Sequence, residues 1–384
     1  MSGRALFCQP RRIGRGAALT LVFASVLVAG AATGSLPGAG GKPRSDGAPS
    51  AAPVGHDVAR AAEEAAADGT SPMEAAQRAV SRSGDRWAAV YSPGEYEEFE
   101  ETLDGRYTGV GLWAREREGR IEVTKVGDDT PAADAGIRAG DRLRSVDGEK
   151  VDGRPVTEVV SLLRGETTGE SAGSTVRLGL ERGTRAWHET VRRVRLSRDT
   201  VTVRELASGV TVVEVGAFTK GSGDEVRTAV REAPAGAGIV LDLRGNSGGL
   251  VAEAVTAASA FLDGGLVATY DVEGEQRALH AEPGGDTTRP LVALVDGGTM
   301  SAAELLTGAL QDRGRAVVVG SRTFGKGSVQ MPTELPDGSV AELTVGHYRT
   351  PSGRGVDGHG LTPDLEADGE ALRRAETVLS GLGR

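Results

Sequence analysis

LVALVDGGTMSAAELLTGALQDRGRAVVVGSRTFGKGSVQ, residues 291–330, decides how this chain folds. Leu291-Val-Ala-Leu-Val295 is an unbroken apolar run of strand length, as expected of a strand covered on both faces. Asp296-Gly-Gly-Thr299 turns the chain, and residues 300–312 carry apolar side chains at helical spacing. Ala316-Val-Val-Val-Gly320 is a second buried strand. Upstream, Gly238-Ile-Val-Leu-Asp-Leu243 repeats the pattern: it ends in Arg244-Gly-Asn-Ser-Gly-Gly249, and a helix is predicted from 250 to about 262. Residues 339–350 read as a further strand. Alternating buried strands and helices make residues 198–384 an α/β unit.

The same stretch brings two reactive side chains together. Thr299 is a good N-cap residue, which places Ser301 in the first helical turn. Unpaired backbone N–H groups and the positive helix end collect there, so an alkoxide or an oxyanion would be stabilised. On this segment alone an ordinary capping serine is the commoner explanation. The return path changes the balance. A helix over 300–312 carries the chain roughly 18 Å away, and a strand over 316–321 returns it by roughly 20 Å. Lys326, in Thr323-Phe-Gly-Lys-Gly327, therefore arrives at the level of Ser301. Arg is the default cation of this chain, and only residues 42, 125, 150, 220 and 326 are Lys. Arg stays protonated, whereas a desolvated Lys can serve as a base. Gly325, Gly327, Phe324 and Val329 suit a dry pocket.

Residues 107–197 have a different texture of short strands and turns. Ile121-Glu-Val-Thr-Lys-Val126 alternates as a strand, and Thr130-Pro-Ala-Ala-Asp-Ala-Gly136 is a capped single-turn helix. Ala135-Gly-Ile-Arg-Ala-Gly-Asp-Arg-Leu143 is followed by Val146-Asp-Gly148, and residues 156–164 have helical spacing. With Gly109, Val110, Gly111 and Leu112 ahead of them, these features resemble a PDZ domain. Such a loop offers backbone N–H groups to a peptide's terminal carboxylate while the peptide adds as a strand. Residues 165–173 (GETTGESAG) look like a polar loop insertion.

Residues 1–34 read as an address. Arg4, Arg11, Arg12 and Arg15 precede the apolar run GAALTLVFASVLVAGAA at 16–32, the pattern of a signal peptide or membrane anchor. The expected location of the rest is extracytoplasmic, anchored through this segment or secreted after cleavage at Ala29-Gly30-Ala31. Residues 35–55 read as a disordered linker. Residues 56–106 form an N-terminal helical segment, with two helices broken at Asp68-Gly69. Trp87, Tyr91, Tyr96 and Phe99 look like a small packing cluster.

Composition narrows the function. The chain of 384 residues carries 54 acidic and 44 basic side chains, a net charge of −10, five His and one Cys. A nucleic-acid partner is not expected of so acidic a chain. One Cys excludes an internal disulfide framework and a Cys-rich zinc site, and five scattered His do not suggest a metal. No cofactor is expected.

Thr299-Met-Ser-Ala-Ala-Glu304, Thr323-Phe-Gly-Lys-Gly-Ser-Val-Gln330 and Asp242-Leu-Arg-Gly-Asn-Ser-Gly-Gly249 together resemble the carboxyl-terminal processing peptidases, or tail-specific proteases. Tyr348-Arg-Thr-Pro-Ser-Gly-Arg354 and Gly360-Leu-Thr-Pro-Asp364 match the closing motifs of that family, and the PDZ-like module matches its domain order. The resemblance runs from about Asp57 to Asp364. It implies a crotonase-like sheet–helix core and a serine endopeptidase acting near the C-termini of protein or peptide substrates. Ser301 would be the nucleophile, Lys326 the general base and Gln330 its orienting partner. The oxyanion hole would use the Ala302 amide and that of Gly248 or Gly249. Met300 and Ala303 depart from the family pattern without removing a catalytic atom. Glu304 at i+3 is expected to contribute only favourable helix electrostatics. The reading allows a homo-oligomer or an activating adaptor. Its rivals are an extracytoplasmic PDZ scaffold with an inactive core, a Ser/His hydrolase using His347 or His359, and a crotonase-like acyl-CoA enzyme.

Overall fold

The computed structural model describes residues 54–165, 172–272, 275–367 and 369–382. The apolar run at 16–32, the linker up to residue 53 and most of the 165–173 loop lie outside them. Among the described residues no helix is long and apolar enough to cross a membrane.

The core is built on a six-stranded sheet in the order Val201–Glu205, Thr211–Val215, Ile239–Asp242, Leu291–Val295, Val317–Gly320 and Leu365–Glu366. The first pair is antiparallel and every later pair parallel. Burial on both faces explains the unbroken apolar runs. Val213, Leu241, Ala293 and Val318 face helices Ser222–Glu232, Val251–Ser259 and Ala302–Asp312. Val212, Val240, Val292, Leu294 and Val319 point the other way, onto Ala371, Ala375 and Leu379 of the helix Ala371–Leu382. In such a sheet the loops beyond the C-terminal strand ends converge. Here those are 243–250, 296–301 and 321–327, the three motif-bearing segments. Gly320 is obligatory: its φ is +138°, and a Cβ would lie 1.9 Å from the Val295 carbonyl.

A second sheet contains the hairpin Ser328–Glu334 and Val340–Arg349, flanked by Ala89–Tyr91 on one side and Leu266–Val272 with Glu275–His280 on the other. The N-terminal segment is more than a helical appendage. Its helices are Val54–Ala67, Pro72–Ser83 and Pro93–Leu103, the first starting just inside the expected linker. Between them Ala89–Tyr91 pairs antiparallel with residues 340–342. Val58, Ala62 and Ala76 then bury against Leu335, Ala341 and Leu343, which explains why the segment docks.

The mainly-β domain has the strand order Leu112–Arg117, Arg120–Val126, Arg142–Val146, Thr175–Arg182 and Arg185–Arg192, with the helix Val156–Arg164 packed on it. Ile121, Val123, Leu143, Val159, Val176 and Leu178 form its own core. It has a separate apolar centre, as the change of sequence texture at residue 107 suggests.

Candidate active site

Ser301 directly precedes the helix Ala302–Asp312 and has φ +55° and ψ −117°. The cap position therefore falls on Ser301 and not on Thr299. Thr299 is held out of the helix: its hydroxyl donates to the Leu243 carbonyl and accepts the Asp296 N–H. A left-handed non-glycine residue costs of order 1–3 kcal/mol. That backbone turns Ser301 sharply at the junction of strand turn and helix, an arrangement that presents a nucleophile.

Glu304 supplies the force that holds this turn. Its carboxylate is fully buried. One oxygen accepts the Ser301 N–H at 2.9 Å and the Lys326 N–H at 2.9 Å. The other accepts the Gly325 N–H at 2.8 Å and the Thr323 hydroxyl. Because one oxygen bonds both amides, the Ser301 and Lys326 backbones lie side by side. Tyr348, fully buried, adds a second bridge: its phenol donates to the Ser301 carbonyl at 3.0 Å and lies 3.2 Å from that of Lys326. Burial raises the Glu304 carboxyl, and its four hydrogen bonds oppose that shift. Glu304 thus does far more than favour the helix electrostatically.

Lys326 is fully buried, and its amine lies 5.0 Å from the centroid of the Trp87 ring. Burial pushes the amine down to about 8, while the charges of Glu342 and Asp85 pull it upward. Trp87 also packs on Phe324 at 5.8 Å between ring centroids. The expected aromatic cluster is accordingly smaller: Tyr91, Tyr96 and Phe99 pack together, and Trp87 stands apart over Lys326. Asp85 fixes Trp87 in place. It accepts the N–H groups of Trp87, Ala88 and Thr344 and faces the Thr344 hydroxyl at 3.0 Å. The sequence reading missed Asp85. Its only local signal is an Asp–x–Trp turn after a helix end.

Gln330 lies on the same buried hairpin but does not bond the Lys326 amine. Its NH2 group reaches the Ser328 and Thr344 hydroxyls at 2.8 and 3.1 Å, and its Oε1 has no hydrogen-bond partner. The two candidate oxyanion glycines are placed differently. A Cβ on Gly248 would meet Ser301 Cβ at 2.9 Å and the Ala302 nitrogen at 3.2 Å, so Gly248 lies against Ser301. Its N–H donates to Asn246 Oδ1. Gly249 instead faces Phe218, whose backbone bonds the Gly248 carbonyl and the Leu250 N–H. Ala302 N–H heads the helix, where no intrahelical partner exists for it. His347 and His359 are exposed and face Asp357.

Gly109, Val110, Gly111 and Leu112 line a pocket of about 350 Å³, with Tyr107, Leu163, Arg164 and Arg198 around it. Apolar walls beside two guanidinium groups suit an apolar residue ending in a carboxylate. Ala217 and Thr219 of the core close the pocket on the far side, flanking Phe218. Gly111 has φ +83°, and a Cβ there would lie 2.3 Å from the Thr130 side chain. We therefore expect Gly111→Ala to destabilise this domain by about 2 kcal/mol or more. Urea unfolding compared with the parent protein checks this, and an unchanged midpoint would contradict the packing described.

Two family models match this chain. Residues 209–367 match peptidase family S41, and residues 122–181 match the PDZ domain. The chloroplastic carboxyl-terminal-processing peptidase 3 of Arabidopsis thaliana is 35% identical over 308 residues, covering 75% of this chain and 58% of that protein. The carboxy-terminal processing protease CtpA of Bacillus subtilis (strain 168) is 31% identical over 289 residues, covering 74% and 61%. The chain thus spans about three-fifths of the length of these curated relatives. Among solved structures, a photosystem II D1 C-terminal processing protease superposes with a TM-score of 0.52 at 29% identity. The match covers 82% of this chain and 86% of that one.

Proposed function

Because the chain belongs to peptidase family S41 and carries a PDZ domain ahead of its core, we propose that it is an exported serine endopeptidase that cuts proteins near their C-termini. The reading rests most heavily on one observation: a fully buried lysine tied through Glu304 to a serine on a left-handed turn. In this mechanism Ser301 Oγ attacks the scissile carbonyl while neutral Lys326 takes its proton. The resulting ammonium gives that proton to the departing amine, leaving an acyl-enzyme. Water then attacks the ester, with Lys326 again as base, and frees the acid and Ser301. The Ala302 amide and an amide of the 248–249 loop receive the oxyanion. Gly248 is the better placed glycine, and its N–H must leave Asn246 to serve. Gln330 positions Lys326 once its free Oε1 turns to the amine.

The PDZ pocket would take the substrate's free C-terminus. Ser301 and Lys326 are both covered, so part of the cover must shift before a chain reaches them. The pocket's core-side wall flanks Phe218, which is hydrogen-bonded to the oxyanion loop. A tail bound there is therefore placed to influence the loop. The 4–32 sequence supports an extracytoplasmic location, anchored or released. A homo-oligomer or an adaptor would be a second source of activation.

The test offers an unfolded protein with an apolar C-terminal tail to the wild type, Ser301→Ala and Lys326→Ala. We expect cleavage by the wild type alone. Tail binding by every form, without cleavage by any, would leave two readings, the PDZ scaffold with an inert core and a gated enzyme missing its activator. Cleavage that survives Lys326→Ala would reopen a role for His347 or His359.

A further inference from the structure

Glu342 plays no part in the chemistry described above, yet it is fully buried in the strand Val340–Arg349. It stands opposite Ala89 on one side and Pro332 on the other. Neither carboxylate oxygen has a hydrogen-bond partner. A bare buried carboxylate is costly, and it persists only where an opposite charge or a proton compensates it.

Its surroundings point to the compensating group. Directly paired residues of an antiparallel hairpin project from the same face. Gln330 pairs with Thr344 and Pro332 with Glu342, so Gln330, Thr344 and Glu342 share one face. Gln330 reaches Ser328 and Thr344 across it, and the face leads back to the loop that carries Lys326. Glu342 is the strongest influence drawing the Lys326 amine upward, and the Lys326 charge draws the Glu342 carboxyl downward. The other charged or titratable neighbours are committed elsewhere. Asp85 is occupied by three amides and the Thr344 hydroxyl, and Glu304 by its four donors. The Arg86 guanidinium stacks on Trp87 and pairs with Asp357. Tyr348 bonds backbone carbonyls. Tyr91 and Tyr96 lie near Glu342, and both phenols are pushed up to about 12, first by burial and then by the Glu342 charge.

We propose that Glu342 is the buried counter-charge of Lys326: the carboxylate favours the protonated amine through its charge, without a direct hydrogen bond, and so sets the pH at which the amine becomes a base. The idea rests on the reading of Lys326 as general base. Burial favours loss of the ammonium proton, which leaves Lys326 able to accept the Ser301 proton, and the Glu342 charge opposes that loss. Burial holds the carboxyl up at about 7 and the amine down at about 8, so the two titrations overlap and belong to the pair. Glu342 acts through Lys326 and is a positioning residue.

Glu342→Gln keeps the shape and removes the charge. In full-length protein labelled with 13C at lysine Cε, five lysine signals are expected, and Lys326→Met assigns the one of interest. On a Ser301→Ala background, Glu342→Gln should lower the titration of the Lys326 amine by about one unit or more. With Ser301 present, the acid limb of kcat/KM against pH should move down by a similar amount while KM holds. An amine titration that stays in place overturns the proposal. The labelling experiment needs no turnover, so the two readings fail separately. An inactive parent with a shifted titration removes the protease reading alone, and an active parent with an unshifted one removes the role of Glu342. Should Glu342→Gln not fold, Lys326→Met gives the reciprocal reading. The Glu342 carboxyl should then titrate about one unit or more higher, and an unmoved carboxyl overturns the pairing.

Discussion

Lys326→Arg is expected to be as inactive as Lys326→Met, with kcat/KM at least about 10³-fold below wild type. The argument turns on which cation can lose its proton. Arg keeps the charge of Lys but stays protonated throughout the working range, so it cannot take a proton from Ser301. Met keeps the length of the side chain without a base. If Lys326 were merely a buried counter-charge for Glu342, Arg would preserve much of its role. The predicted equality of the two variants therefore separates base from counter-charge. The pH profile follows from the same site. Burial brings the amine down to about 8. Only the neutral amine is a base, so the wild-type rate should climb roughly tenfold per pH unit below that value and level off above it. At pH 7 about one amine in ten is neutral, whereas fewer than about one in a thousand would be neutral at the ordinary lysine value. Initial rates on an unfolded tailed substrate between pH 6 and 10 give the limb. Thermal unfolding of each variant separates lost chemistry from lost fold. Substantial activity in Lys326→Arg would remove the general-base assignment.

The nearness of Ser301 and Lys326 was legible because it depends on local regularities alone. A helix and a strand of known rise carry the chain out and back over 25 residues. The PDZ domain was legible for a similar reason, since the Gly109–Leu112 turn and the segments after it occur in a fixed order. What escaped the sequence depends on partners distant in the chain. Thr299 has the right chemistry for an N-cap, but its hydroxyl is claimed by the Leu243 carbonyl across the parallel sheet, and Ser301 takes the cap position. Glu304 looks like ordinary first-turn electrostatics because three of its four donors arrive 19 to 22 residues later. Asp85 and Thr344 are 259 positions apart, and Trp87 comes to lie over Lys326 only because Ala89–Tyr91 joins the edge of a sheet formed near the other end of the chain. Periodicity identifies which side chains are buried. It does not identify which buried polar groups meet.

Glu304 is where that limit has its largest consequence. Glu304→Gln should lower kcat by about 10²-fold or more while KM for the tailed substrate stays near wild type. All four groups facing the carboxylate are donors: the N–H groups of Ser301, Gly325 and Lys326 and the Thr323 hydroxyl. A carboxylate accepts at both oxygens, whereas an amide accepts at one and donates at the other. Gln would therefore set its own N–H group against two of these donors. Each buried donor left without an acceptor costs about 1–3 kcal/mol, so the variant should also lose several kcal/mol of stability. The largest effect on rate should come from geometry. Ser301 keeps its left-handed backbone only while its N–H is held, and the same oxygen fixes Lys326. Released, the turn can relax toward an ordinary helix start. The Ser301 hydroxyl would then rotate away from the Lys326 amine, and a displacement of about 1 Å is enough to cost two orders of magnitude. Glu304→Asp should not rescue, because one fewer methylene withdraws the carboxylate from donors now at 2.8–2.9 Å. Rates taken well below the variant's melting temperature, with the folded fraction measured alongside, give the comparison. A Glu304→Gln enzyme whose kcat follows its folded fraction would reduce Glu304 to a purely structural residue.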